Sequence, residues 1–205
     1  MLAIALAGFA GQAQAKRVLD EKLDLASLQK MAAMGQLIHL EYKGNTLVNR
    51  MVCVLVNAPP AKVWTVITDF ANYHKFVPDM LPPKVTKLSA TEYKVDFTLD
   101  IKILGPVKTT QKYGMLYSLE NPYLYMYDPT KAKGSKANAS YWKLVPVNGG
   151  KKTMLFYLDE APDLGKMGSL VVNVVREKPE LALALQVSPV SIMVQEIKKY
   201  VEGKK

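Results

Sequence analysis

The chain has one cysteine and two histidines in 205 residues, and these scarcities remove several kinds of chemistry at once. A single thiol, Cys53, cannot close an internal disulfide. It sits in an apolar run with no neighbouring base to activate it, so it reads as a buried small hydrophobe. With histidines only at His39 and His74, no Cys/His cluster stands at metal-ligand spacing, and no Ser-His-Asp arrangement is easily completed. No Gly-rich loop with a phosphate-binding lysine joins a strand to a helix. No Arg-rich, zinc-finger or RNP-like aromatic signature points to nucleic acid. We therefore expect no metal, no cofactor and no nucleic-acid partner. A Pro-, Gly- or Ser-rich linker and an internal repeat are also missing, which leaves one domain.

What is present suits a globular domain with a real core. Apolar residues make up 49% of the chain, mean hydropathy is +0.01, and a domain of this size buries roughly 70% of its unfolded surface. The balance is basic, with a formal net charge of +9. Lys131, Lys133, Lys136, Lys143, Lys151 and Lys152 gather in and around the later loops, with Lys198, Lys199, Lys204 and Lys205 at the tail. A basic rim favours peripheral contact with an anionic membrane, at about 1 kcal/mol per nearby lysine; a merely solvated surface is the plainer alternative.

Residues 1–15 are uncharged, hold an apolar stretch from Leu2 to Ala10, and end in Ala13-Gln14-Ala15 before Lys16-Arg17. The stretch is too short for a bilayer and ends like a signal-peptidase site, although a positive n-region is lacking. It reads as a signal peptide, which implies a periplasmic or secreted protein. Residues 16–46 read as an N-terminal helical extension, because leucines and methionines from Leu19 to Leu40 recur at three- and four-residue steps. The main domain is then 47–203.

Its first strand runs from about Leu47 to Val56. Pro59 or Pro60 opens a short helix whose Val63, Trp64, Ile67 and Phe70 share a face. From Tyr93 to Ile103 apolar residues alternate with polar ones over eleven positions, which means a strand with one dry and one wet face. Val107 to Ser118, Tyr123 to Tyr127, Asn138 to Val147 and Thr153 to Asp159 continue an antiparallel meander, the last two joined by Asn148-Gly149-Gly150. Met167 to Lys178 and Glu180 to Glu202 read as helix, with a kink or break expected before Pro189. The class is α+β, a curved antiparallel β-sheet whose apolar face the long C-terminal helix covers.

In the order Ala58-Pro59, Val63-Trp64, Asp69-Phe70 and Phe76-Val77-Pro78, the stretch Val56 to Met80 resembles the START-like (SRPBCC, helix-grip) superfamily. It is most similar to the polyketide cyclase/dehydrase and coenzyme Q-binding branch. Trp142, Leu144 and Pro146 resemble a strand common in the coenzyme Q-binding proteins. The resemblance implies a helix-grip fold with a hydrophobic cavity between sheet and C-terminal helix. Such a cavity holds a lipid, isoprenoid, quinone, sterol or polyketide-like molecule.

If the dry face of Tyr93 to Ile103 lines that cavity, Tyr93, Phe97 and Ile101 contribute to its wall. The next strand contributes Thr109, Gln111, Tyr113 and Tyr117, which form hydrogen bonds but are weak proton-transfer groups near neutral pH. Phe76, Trp142, Met154, Phe156, Met167, Leu170 and Val174 complete the expected ligand-binding set. No catalytic residue is assigned. His74 reads as a wet helix-end residue and Asp69 as a capping one. Asp69, Asp79, Arg50 and Glu160 are the remaining ionisable candidates for the interior. Binding or transport of a hydrophobic small molecule therefore stands ahead of the alternative, a polyketide cyclase/dehydratase-type enzyme. A cavity with a convergent His, Asp or Arg pair would favour the enzyme. Walls of Phe97, Ile101, Met154 and Phe156 with an isolated hydroxyl would favour the carrier.

Overall fold

The alternation from Tyr93 to Ile103 becomes a 13-residue strand, Glu92–Leu104, in a computed structural model. The structure describes residues 24–104, 107–128, 140–161, 177 and 180–204, with the side chains of 101–104, 107–109 and 180 outside that description. The elements are α1 (Leu25–Met34), β1 (Leu37–Lys43), β2 (Thr46–Val56), α2 (Pro60–Thr68), a 3-10 helix (Phe70–Lys75), β3 (Lys84–Lys87), β4 (Glu92–Leu104), β5 (Val107–Glu120), β6 (Tyr123–Tyr127), β7 (Ser140–Val147), β8 (Lys152–Glu160) and α3 (Glu180–Glu202). The strands form one curved, open, antiparallel sheet in the order β1-β2-β8-β7-β6-β5-β4-β3. This is the α+β arrangement that the strand pattern implies.

Two differences from the sequence reading stand near the N-terminus and in the middle. The helix expected through Leu40 ends at Met34, and Leu37–Lys43 is a strand paired with β2. Ile38, Leu40 and Tyr42 alternate there with His39 and Glu41, a period of two that the leucine spacing conceals. Gly44, at φ 60°, supplies the left-handed turn residue between the two strands. The short strand β3, which the sequence pattern does not announce, pairs with β4 from Lys84 to Lys87.

The sheet is covered on both faces. On one face, Val52, Val54 and Val56 of β2 join Leu155 and Tyr157 of β8, Trp142 and Leu144 of β7, Leu124 of β6, Tyr117 of β5, and Val95 and Phe97 of β4. Helix α3 closes this face with Val190, Val194, Ile197 and Val201, spaced at 4, 3 and 4 residues and all buried. Burying an aliphatic side chain of this kind stabilises by about 1.5–3 kcal/mol. Helix α2, with Pro60 at its first position, adds Val63 and Ile67. On the other face α1 lays Leu28 and Ala32 against Cys53, Leu55, Met154, Phe156 and Leu158. Its N-terminus is capped by Asp24, whose carboxylate accepts from the backbone N–H and the hydroxyl of Ser27.

Helix α3 continues through Pro189 rather than breaking before it. Proline removes the N–H that would bond the carbonyl of Leu185, yet the helix beyond it is held at two points. Ser191 donates its hydroxyl to Gln36 Oε1 and accepts from Gln36 Nε2 at its carbonyl. At the far end, Glu202 accepts from the backbone N–H of Asn57 at 2.8 Å. The helix is thus tied to the start of β1 and to the end of β2. No helix among the described residues is long and apolar enough to cross a membrane.

Candidate functional site

The interior between sheet and α3 is filled at one end and hollow at the other. At the filled end, Phe70, Tyr73, Phe76, Tyr93, Phe97 and Tyr117 form a linked aromatic cluster with centroids 4.3–6.3 Å apart. Tyr73 anchors it by donating its hydroxyl to the Ile67 carbonyl at 2.6 Å. At the hollow end lies a cavity of about 750 Å³. At ~30 Å³ per water that volume equals roughly 25 waters, too much for a packing defect and within the size range of small-molecule sites.

Four segments build its wall. The turn after the 3-10 helix gives Val77 to Met80, β4 gives Leu99, β5 gives Tyr113, and the first half of α3 gives Leu181, Leu185, Ile192 and Met193 among others. A polar patch completes the wall: Arg50 of β2 and Tyr157 and Asp159 of β8. Arg50 and Asp159 are register partners across the two strands. Arg50 donates from Nε to Asp159 Oδ1 at 2.6 Å and from Nη2 to Oδ2 at 2.7 Å, and Tyr157 donates its hydroxyl to Oδ2 at 3.2 Å. This bidentate pair has side chains only 9% and 11% exposed.

The electrostatics follow from burial. Burial raises the Asp159 carboxyl from its ordinary value, against the hydrogen bonds and charge of Arg50, which pull it down. Burial, with the charge of Asp159, pushes the Tyr157 phenol far up, and partial desolvation raises Tyr113, which is still 41% exposed. At neutral pH the phenols therefore stay protonated as hydrogen-bonding groups. Tyr113 stacks on Phe97 with centroids 5.2 Å apart, and its hydroxyl makes no hydrogen bond among the described residues. One end of an apolar cavity thus presents an ion pair and two neutral hydroxyls.

The expected site residues fare unevenly. Tyr113 lines the cavity. Phe76, Tyr93, Phe97, Tyr117 and Trp142 lie on the correct face but pack within the filled core, Trp142 against Tyr157 at 4.5 Å. Gln111 is opposite Leu99 on that face and is exposed. Met154 and Phe156 must be corrected: they sit on the opposite face under α1 with Cys53 and Leu55. Every residue of β8 from Thr153 to Asp159 is buried, so its sequence carries no alternation to reveal the face. Ile101 and Thr109 are in β4 and β5, but their side chains lie outside the described residues, as do Met167, Leu170 and Val174 altogether.

Among the ionisable candidates, Arg50 and Asp79 do line the cavity. Asp69 instead joins α2 to the 3-10 helix and accepts from Asn72 Nδ2 at 2.7 Å, and Glu160 is exposed. His74 is half-buried, with Nδ1 2.9 Å from the Ala71 carbonyl, and is not on the cavity wall. Sequence reasoning missed Asp159, Tyr157 as part of a pole, and the first half of α3. A signal existed in β2, where Arg50 shares the parity of Val52, Val54 and Val56. A charge at an inward position needs an opposite charge across the strand. No group of three His, Cys, Asp or Glu that would hold a metal is found among the described residues.

A curved antiparallel sheet gripping a C-terminal helix over a cavity is the helix-grip fold of the START-like class, and the chain has that fold. Residues 56–110 match the model of the family described as polyketide cyclase / dehydrase and lipid transport. That segment contains the Ala-Pro, Val-Trp and Asp-Phe positions of the motif. The fold is similar to that of a STAR-related lipid transfer protein from Xanthomonas axonopodis, with a TM-score of 0.58 and 14% identity over 82% of this chain and 94% of that one. It is also similar to the Zhui aromatase/cyclase from a Streptomyces species, with a TM-score of 0.56 and 14% identity over 75% and 93%. Human STARD10 gives a TM-score of 0.51 with 14% identity over 89% and 81%. No curated protein matches the chain by sequence.

Proposed function

We propose that the protein binds and carries a hydrophobic small molecule, a lipid, isoprenoid or quinone, or sterol-like compound, in this cavity. The observation that carries the reading is the hollow of about 750 Å³, with mainly apolar walls, a polar pole at Arg50, Tyr157 and Asp159, and Asp79 on the turn. The apolar body of a guest fits between Met80, Leu99, Leu185 and Met193, and its polar end meets Tyr113, Tyr157 and Arg50. Mass spectrometry of an organic extract of the purified protein tests this, together with titration of quinones, sterols and lipids. A recovered amphiphile in near-stoichiometric amount is expected. An empty extract with no binding to any of these compounds would remove the reading.

A cyclase or dehydratase acting on a polyketide-like substrate is favoured by one observation, the Arg50–Asp159 pair facing the cavity. It ranks second because both oxygens of Asp159 are already engaged by Arg50, and the neighbouring phenols are too weakly acidic to move protons near neutral pH. Incubation with a poly-β-ketone thioester decides: cyclised product lost in Asp159→Asn would establish the enzyme.

The carrier reading extends to export and to membrane contact. The leader at residues 1–15 and the net charge of +9 support a periplasmic or secreted protein that docks on anionic bilayers. Leu81 and Leu183, each 43% exposed, and Ile192, 49% exposed, put apolar surface on and beside the segments that wall the cavity. N-terminal sequencing of the exported chain and co-sedimentation with anionic against zwitterionic vesicles test these two statements. A retained leader, or equal sedimentation with both vesicles, would count against them.

A further inference from the structure

We propose that the cavity admits amphiphiles with an uncharged, hydrogen-bond-accepting head and turns away anionic ones, with Asp79 at its wall setting that selectivity. The proposal rests on the cavity-binding reading above.

Among the described residues, the lining contains three charged groups, Arg50, Asp79 and Asp159. Arg50 spends its charge on both oxygens of Asp159, so this pair sums to zero. Asp79 remains. Asp79 is exposed, and its carboxylate has no hydrogen bond or ion pair among the described residues, so no described wall residue compensates its charge. Its position is fixed. The backbone at φ 59° is held by the Asp100 N–H donating to the Asp79 carbonyl at 2.8 Å and by the bridge between Met80 and Leu99. Aspartate tolerates this left-handed conformation better than most side chains.

The donors complete the pattern. A guanidinium carries five N–H groups, and two of Arg50's are committed to Asp159. The remainder, with the unpaired Tyr113 hydroxyl, supply donors for a carbonyl or hydroxyl oxygen. A carboxylate head meets the same donors but also two carboxylates against one guanidinium. The basic exterior pulls the other way. Distant lysines are screened over about 8 Å at physiological salt, however, whereas Asp79, although exposed to solvent, stands on the cavity wall itself.

The test uses the full chain and displacement of a neutral naphthylamine fluorophore by dodecanol, 2-dodecanone and dodecanoate, at about pH 8 and about 0.15 M salt. The alcohol and ketone are expected to displace the probe at least about tenfold more effectively than dodecanoate. Asp79→Asn should shrink that ratio to roughly threefold or less. Asp96→Asn, the same charge change on the outer face of β4, should leave the ratio where it was. Dodecanoate binding as well as the alcohol, or equal ratios in wild type and Asp79→Asn, would overturn the proposal and leave the cavity reading intact. Equal effects of the two substitutions would also overturn it, by assigning the selectivity to net charge. If neither the fluorophore nor any of the three amphiphiles binds, the cavity reading falls and the proposal with it.

Discussion

Asp159→Leu removes one half of the ion pair and leaves Arg50, with a side chain 9% exposed, as an uncompensated charge beside the cavity. Breaking a buried pair in this way costs about 3–5 kcal/mol, whereas replacing both partners by apolar residues of similar volume is often neutral or stabilising. The pair faces a hollow that water can enter, so the low end applies: about 3 kcal/mol for Asp159→Leu and about the same for Arg50→Met. The double variant Arg50→Met/Asp159→Leu should lie within about 1 kcal/mol of wild type, far from the sum of roughly 6 that independent sites would give. Urea unfolding followed by tryptophan fluorescence reads the difference, since Trp142 is fully buried against Tyr157. A loss of about 3 kcal/mol moves the midpoint by roughly 1–2 M for slopes typical of such domains. Single variants that each cost under about 1 kcal/mol would refute the reasoning. They would mean that guanidinium and carboxylate are separately hydrated, so that no dry polar pole exists for a guest to find. A double variant as stable as wild type that also loses its ligand would show that the pair serves binding.

Other expectations follow from the same contacts. Ile197→Ala, at a fully buried α3 position, should destabilise by about 2–5 kcal/mol in the same urea assay, because the helix closes the core with it. Tyr113→Phe should leave the urea midpoint almost unchanged and weaken a carbonyl-headed ligand by about fivefold in titration calorimetry, the worth of one net hydrogen bond. For Glu202, burial works to raise the carboxyl, but hydrogen bonds from Lys204 and the Asn57 N–H outweigh it and hold it below its ordinary value of 4.5. Its contribution is therefore present above that value and lost as pH falls through the lower folded one, so Glu202→Gln should flatten the acid limb of a stability-against-pH curve. Cys53 is buried, and that burial lifts its thiol to about 12. It should resist a disulfide reagent in the native protein and react at once in urea.

How much was legible depends on how each strand is covered. In β4 the inner positions Val95 and Phe97 are buried while Lys94 is exposed, so the period of two announced both the strand and its inner face. In β8 the residues Met154 to Leu158 are buried on both sides, one set under α3 and the other under α1. Hydrophobicity there marks burial without direction, so nothing in the pattern tells that Met154 and Phe156 face α1. The three tyrosines of β6 posed the same question. The structure puts Tyr125 with the α1 side cluster and Leu124 and Met126 with the α3 side, so the tyrosines point away from the helix.

The sequence by itself determined the class of fold, because alternation, turn residues and the Val56 to Met80 motif are local properties that survive without knowledge of partners. Only the tertiary structure decided where the interior is full and where it is hollow. A void is a difference between the volume enclosed by distant elements and the volume of the side chains sent into it. No stretch of chain encodes that difference. Arg50 and Asp159, 109 positions apart in the chain, become one polar pole only when β2 and β8 align in register.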